Sequence, residues 1–501
     1  MKRLIPLFIV LAICAVTSGQ NQVDALRYSQ LFPGGTARSV ALGGAFGALG
    51  GDFYSASQNP AGLGVYRGSE ITLTPEIYYN SVSSRYNGTS SEDFRTNFNF
   101  NNFGYVTAFD FGKRGLIGGS LAIGFNRLNN FHSNVYIEGN NTQSTLADFY
   151  VQSANYGEGS GPVDPMDLLP FSEQLFYEGY IMDIDNAGRY YVSTDIRDSL
   201  TNNLNIDQAN ALDRSGKINE WTLAMGFNYE HIVYFGFSLN MNFLDYHENS
   251  VFSEYDALTS NWRYFRYNES LDVTGTGYSA KFGLILKPIK FLRLGIAYHT
   301  PVGYYLTDTY DASLQSPHVN QVLVPRDYDG YALDAGVFDY RIVTPGKTVG
   351  SLGLMLGKLM IFSTDVEYMN YAYMHFPLQD LNVEDRGYFS DVNSDIKNIY
   401  NNTLNLKTGL EMRLNKLYLR GGFAYFGSPY QANEANRDAY QLMYSGGIGF
   451  REEHFFLDLA VAYRTSEEMQ VLYSLDNLAN PPSAKLTSGS LKAMATFGFR
   501  F

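Results

Sequence analysis

The side chains with the most chemical potential in this sequence are basic ones set at alternate positions. Arg293, Lys407, Arg420, Arg464 and Lys492 each stand where polar or small residues alternate with large apolar ones. That period places them on the polar face of a strand. A buried charge there needs a partner; Asp458, Glu411 and Asp52 could supply one, and so could an anionic ligand. Arg420 and Lys407 fall in mid-strand rather than at a turn and are the candidate ligand contacts among them. Other reactive types lack company. The histidines His132, His231, His247, His299, His318, His375 and His454 are scattered, with no pair at metal-ligand spacing. Asp183 to Gly188 begins like a calcium loop, but Thr194 stands where its glutamate belongs. Gly346-Lys347-Thr348 ends like a phosphate loop, yet Arg341 replaces the first glycine. No serine sits in an activated context beside a histidine, so the expectation is a non-enzyme with no metal and no cofactor.

The elements that carry these residues read as strands. Leu491, Ala493, Ala495, Phe497, Phe499 and Phe501 share one face, and Lys492, Met494, Thr496, Gly498 and Arg500 share the other. The same alternation runs through Phe455–Arg464, Leu404–Leu414 and Val233–Phe243. A soluble sandwich alternates too. These apolar faces, however, extend over about 9–11 residues, the length a tilted membrane strand requires. Their opposite faces are polar but often small, as a crowded lumen demands. Tight turns fall at Gly112–Gly115, Glu230–Ile232, Pro288–Lys290, Gly357–Lys358, Asn415–Lys416 and Glu452–His454, with longer loops between them. Short turns alternating with long loops, over about fourteen segments, predict an all-β, transmembrane antiparallel β-barrel. Closure removes the unpaired edges that lipid would not tolerate.

Composition agrees. Tyr and Phe number 40 and 35, Gly 48, and charged residues make up only 17%. The net charge of −14 argues against nucleic acid as a partner. Lys2 and Arg3, the apolar run Leu4–Val16 and the small residues Thr17-Ser18-Gly19 form a secretory signal peptide over residues 1–19, cleaved before Gln20. Cys14, the single cysteine, would leave with it, so thiol catalysis and disulfides are excluded from the mature chain. Beyond the signal no apolar run approaches the ~20 residues of a membrane helix.

The longest loop is expected from about 131 to 217. Within it Thr145–Ala154 and Met166–Ile184 carry apolar residues at helical spacing, among them Leu168, Leu169, Phe171, Leu175 and Phe176. Two readings stand: a lid packed on the barrel rim, or an apolar landing surface on which Phe171 and Phe176 meet a hydrophobic ligand.

Residues 20–68 do not alternate. They are dense in Gly and Ala, from Gly34-Gly35-Thr36-Ala37 through Leu42–Asp52 to Asn59-Pro60-Ala61-Gly62, and the barrel proper spans 69–501. Small residues allow close backbone approach, which suits a segment folded up inside a lumen. The order signal peptide, Gly/Ala-rich segment, Asn59-Pro60-Ala61 and about fourteen strands resembles the FadL family of outer-membrane transporters for long-chain fatty acids and aromatic hydrocarbons. The resemblance covers the mature chain in its architecture and rests on the Asn-Pro-Ala tripeptide of the family's N-terminal hatch. It implies a monomeric bacterial outer-membrane barrel plugged by its hatch, passing hydrophobic small molecules by passive diffusion. It also implies a sideways exit into outer-membrane lipid at a kink in the third strand. Gly118, Gly119 and Gly124 are the candidates for that kink, though such glycines could equally make room for the hatch. The terminal Phe501 resembles the signal read by the barrel assembly machinery. The resemblance leaves an alternative open, a non-transporting barrel that serves as a partner in protein secretion, as PorV-like members do.

Overall fold

A computed structural model describes residues 20–156, 161–193, 204–256, 264–319, 321–327, 330–383, 385–476 and 478–501. The signal peptide expected over 1–19, and Thr194 of the calcium-loop comparison, lie outside the described residues.

Alternation becomes a closed antiparallel barrel of fourteen strands. They are β1 (Glu70–Tyr86), β2 (Thr89–Asp110), β3 (Leu116–Asn130, continued by Ser133–Asn141), β4 (Ile206–Tyr229), β5 (Val233–Asp256) and β6 (Tyr264–Ile289). Next come β7 (Leu292–His299, continued by Gly303–Gln315), β8 (Gly336–Val343, continued by Lys347–Leu356), β9 (Met360–Asn370) and β10 (Asn402–Leu414). The last four are β11 (Leu417–Phe426), β12 (Gln441–Arg451), β13 (Phe455–Val471) and β14 (Ser483–Arg500). β1 pairs with β14 from Glu70↔Arg500 to Arg85↔Lys485, so the sheet has no free edge at its closure. The expected tight turns all lie at one end; only that after β6 moves, to residues 290–291, because β6 runs on to Ile289.

The pleat sorts the side chains as lipid would require. Leu239 is 59% exposed, Ile296 54% and Phe499 55%, on an outer face otherwise made of aliphatic and aromatic residues. Their neighbours in sequence, such as Ser238, Asn240 and Thr496, are buried in the lumen. Phe501 ends on the lipid face, 68% exposed, its backbone paired with Ser69 and its ring stacked on Tyr105.

Strand length is uneven around the wall. β10 to β12 have 10–13 residues, a membrane's worth, whereas β4 to β6 have 24–26 and rise well past the apolar belt. Residues 133–141 and 206–217, expected to be loop, therefore belong to β3 and β4. Their upper registers alternate as the lower ones do, but polar residues occupy the outer face, which is why they read as loop.

The N-terminal segment lies inside this wall. It contains α1 (Gln22–Ser29), α2 (Ala37–Ala41), α3 (Ser55–Gln58) and a 3-10 turn at Pro60–Val65. Above the wall, α4 (Leu146–Asn155) and α5 (Glu173–Glu178) build a lid, and α6 (Asp385–Ile399) packs on the opposite side. Thr145 and Asp148 form a capping box for α4, and Asn21 and Asp24 do the same for α1.

Candidate lumenal site and wall seam

The N-terminal segment threads the lumen from its outer end to its base. Gln20 donates to Asp308, and Tyr388 and Tyr400, at and just beyond α6, donate to the carbonyls of Gln20 and Gln22. Ala37 N donates to Thr496 Oγ1 at 2.7 Å, and Phe46 N and Gly47 N donate to Asp365. Asn59 caps the 3-10 turn through Ala61 N, and its Nδ2 donates to Gly47 O at 2.7 Å. Asn59-Pro60-Ala61 thus folds into a compact turn against β5 and β6. A methyl group on Gly283 would stand 1.9 Å from Asn59 Oδ1, so the wall accepts this turn only because glycine lies opposite it.

Ionic contacts fasten the segment to the wall. Arg38 of α2 makes a bidentate pair with Glu411, at 2.9 and 3.2 Å. Glu411 also accepts from Arg420 at 2.7 Å, Arg420 donates to Asp458 at 2.7 Å, and Arg451 reaches Asp458 at 3.2 Å. A second group joins Ser57 and Lys281 on Glu220. A third joins Gln58, Lys407 and Lys347 on Glu367. Arg420 is thus paired through Nε and Nη1, its side chain 0% exposed, while its Nη2 is buried without a partner. The structural pairing that the sequence left open as an alternative to ligand binding is what it does. Lys407 is paired as well, but it borders an internal cavity.

That cavity has a volume of about 60 Å³ and touches Phe32 and Leu128 on one side and Thr300, Val302, Thr344 and Pro345 on the other. Its walls mix Leu31, Phe32 and Met369 with Lys281, Lys347, Lys407, Glu220 and Glu367. An apolar cavity of ligand size between segment and wall is the expectation for a transporter. Here the N-terminal segment lines that space through Tyr28, Phe32, Tyr54 and Gln58.

The third strand is interrupted, but not at its glycines. From Gly118 to Asn126 it pairs with both β2 and β4 without a break, and Gly119 and Gly124 lie inside that stretch. A Cβ on Gly124 would stand 2.7 Å from Phe53 Cζ, so this glycine makes room for the N-terminal segment. The only irregularity near the glycines is a shift between Leu116 and Gly118. The ladder with β2 ends at Asn102↔Asn126; β3 then bulges between Arg127 and Asn129, breaks at 131–132, and resumes paired to β4 alone. Above Asn126 the β2–β3 wall is closed by side chains. Asn97 meets His132 at 3.1 Å, Arg95 reaches Asn134 at 3.3 Å and pairs with Asp213, and Ser91 donates to Glu138 at 2.9 Å. No sequence signal marked this seam, since Arg127-Leu128-Asn129-Asn130 contains neither Gly nor Pro.

The N-terminal segment backs the seam from inside. Phe32 N donates to Leu128 O at 3.1 Å, and Asn129 Nδ2 donates to Gln30 O at 3.1 Å. Gly34 presses on the Arg127 carbonyl so closely that a Cβ would stand 2.1 Å from its oxygen.

The lid residues take the first of the two readings. Phe176 is fully buried among Tyr150, Phe265 and Tyr267, and Phe171 packs on Tyr310 at the lid's margin. Neither borders the cavity described above. Glu254 of β5 anchors α4, accepting from Thr145, Leu146 N and Gln208. Burial pushes its carboxyl up to about 7 against those donors. Among the described residues no group of acidic, histidine or cysteine side chains could hold a metal ion.

Solved structures share this architecture. The chain is similar to a FadL homologue of Pseudomonas aeruginosa, at 12% identity and a TM-score of 0.53, over 94% of this chain and 100% of that one. It is similar to the CymD monoaromatic hydrocarbon channel, at 10% identity and a TM-score of 0.50, over 93% and 98%. It is likewise similar to the toluene transporter TodX of P. putida, at 12% identity and a TM-score of 0.50, over 93% and 99%. No family model and no curated protein matches the sequence. The likeness is one of fold, and it extends over nearly the whole of each chain.

Proposed function

We propose that this chain is a bacterial outer-membrane channel for hydrophobic small molecules, fatty-acid-like or otherwise lipid-like, which cross by passive diffusion. The N-terminal segment acts as a hatch. In the folded state it fills much of the lumen and holds the seam shut from within. Displacement of Gln30–Gly34 removes the backing of Arg127–Asn129, after which only side-chain contacts close the wall. Apolar cargo then leaves sideways into outer-membrane lipid instead of crossing water at the base. One observation carries this reading: the segment that plugs the lumen is hydrogen-bonded to the one place where the β2–β3 ladder stops.

One chain closes the barrel, so a monomer suffices, and the exposed Phe501 is suited to recognition by the barrel assembly machinery. A crosslink tests the channel directly. Asn97→Cys and His132→Cys, in a mature chain free of other thiols, would tie the seam. Uptake of a labelled long-chain fatty acid into proteoliposomes should fall on oxidation and return on reduction. Uptake indifferent to the crosslink would sink the lateral route, and uptake no greater than with an unrelated barrel would sink transport.

A further inference from the structure

The wall has a second interruption, at the other border of the lumenal cavity. β7 stops at His299 and resumes at Gly303; β8 stops at Val343 and resumes at Lys347. His299 pairs with Lys347 and Gly303 with Val343, so the register carries across the gap and sets Pro301 opposite Pro345. Proline has no N–H to give a ladder. Two facing prolines leave that rung without a donor on either strand. Both strands also change parity here. His299 and Val349 are buried in the lumen below the gap, Val302 and Thr344 above it. What bridges β7 and β8 within the gap is thin. Thr344 N donates to Val302 O, and Val302 N to Thr344 Oγ1, each at 3.0 Å. Thr300 turns instead to β6, donating to Ala280 O through its amide and accepting from Ala280 N at 2.9 Å.

Irregular backbone at membrane depth is tolerated where it lines a cavity, and this stretch does so through Thr300, Val302, Thr344 and Pro345. The outer face fixes its height. Below the gap β7 presents exposed Leu294, Ile296 and Tyr298. Just above it β8 presents Asp339 and Arg341, the latter ion-paired with Asp380 at 2.6 Å. The gap therefore stands where the apolar belt gives way to charge, level with the outer leaflet. A Cβ on Gly346 would stand 3.2 Å from the Tyr298 hydroxyl, so that side chain leans across the gap from outside. We infer that the Pro301–Pro345 gap is a second sideways opening, through which a hydrocarbon chain passes between the cavity and the outer leaflet, with Tyr298 as its cover. The inference rests on the channel reading and adds a route to it. The β2–β3 seam is backed by Gln30–Gly34, whereas this gap is closed by one side chain and two hydrogen bonds, so it parts while Gln30–Gly34 stays in place.

Thiol labelling from the bilayer tests it. Val302→Cys, buried at the gap, and Ser238→Cys, buried in the lumen away from it, each give a mature chain with a single thiol. Dodecyl maleimide dissolved in the liposome bilayer should label the first much faster than the second. Pro301→Val/Pro345→Val restores the two missing donors and should slow labelling of Val302→Cys about tenfold, as one or two added ladder hydrogen bonds would. Equal rates for the two thiols, or a rate that the valines leave unchanged, would overturn the opening. Uptake of labelled fatty acid then tests the route. With the seam tied by oxidised Asn97→Cys/His132→Cys, a residual uptake should remain, and adding the two valines should remove it. A seam-tied barrel already at the level of an unrelated barrel would overturn the second route while leaving the channel intact. The channel reading fails separately, if the parent itself takes up no more than an unrelated barrel, and the labelling result does not depend on that.

Discussion

The amide of Phe32 donates to the carbonyl of Leu128 across 3.1 Å, tying the N-terminal segment to the wall immediately after the β2–β3 ladder has ended. This contact supplies part of the backbone pairing that β2 withholds. Wall and segment are thus mutually dependent at that level, and altering one alters the other.

Gly34→Val would force the segment off the seam, because its first carbon would overlap the Arg127 carbonyl. Single-channel recordings should show openings absent from the parent. A silent variant with an intact barrel would mean the segment does not hold the seam.

Glu411→Gln removes the acidic partner of the buried Arg38 guanidinium and leaves Arg420 with Asp458 alone. Loss of one partner from a buried pair costs about 3–5 kcal/mol. The thermal midpoint should fall markedly, and protease should cut within Gln20–Gly68 before it cuts the barrel. Simultaneous unfolding of both would show that the segment and wall form one cooperative unit.

Gly283→Ala tests the Asn59-Pro60-Ala61 turn. The added methyl meets Asn59 Oδ1, and overpacking of this kind costs about 1–3 kcal/mol. Asn59→Ala in the same chain should recover part of the loss in a melting experiment, since it removes the clashing atom.

Lid stability should depend on pH through Glu254. Its folded carboxyl titrates at about 7 against an ordinary value of 4.5, so the folded lid binds the proton more tightly than the open one. The stabilisation is full below about 4.5 and is lost as pH rises to about 7. Asp148 nearby acts in the same sense, and half-buried Glu269, also raised to about 7, adds to it. Hydrogen exchange in Leu146–Asn155 should quicken from pH 5 to pH 7.5, and Glu254→Gln should flatten the profile. An unchanged profile would assign the effect elsewhere.

Phe501→Ser should reduce the amount of barrel assembled in cells while leaving refolding in detergent near normal, because the ring is 68% exposed and stacks only on Tyr105. Equal losses in both assays would make the residue structural.

Much of the barrel was legible because its signal is local. Leu491 to Phe501 alternates along one strand, and pairing merely repeats that pattern around the wall. The N-terminal segment was legible as a departure from alternation, and Asn59-Pro60-Ala61 marked its turn. The seam was not legible: where the ladder ends, Leu128 and Asn129 are met instead by Phe32 and Gln30, a contact about 100 residues distant in sequence. Arg420 and Lys407 illustrate the same limit. Parity placed both in the lumen, but their occupation by Glu411, Asp458 and Glu367 depends on four strands and cannot be read from any one of them. Phe176 could have faced either a ligand or a lid core, and burial by Tyr150 and Phe265 decided it.

The course of the N-terminal segment sets an order of events. Gln20 is held beneath α6 at the outer mouth, Gln30 and Phe32 at the seam, Arg38 at the buried ionic clasp, and Asn59 near the base. A displacement begun at Gln20 would therefore reach the seam, at Gln30 and Phe32, before it reaches the clasp at Arg38. On the channel reading proposed above, the chain is laid out like a ripcord: the seam would be loosened from the outer end while the turn at Asn59 stays fastened, so admitting a molecule would not require an open bore through the barrel.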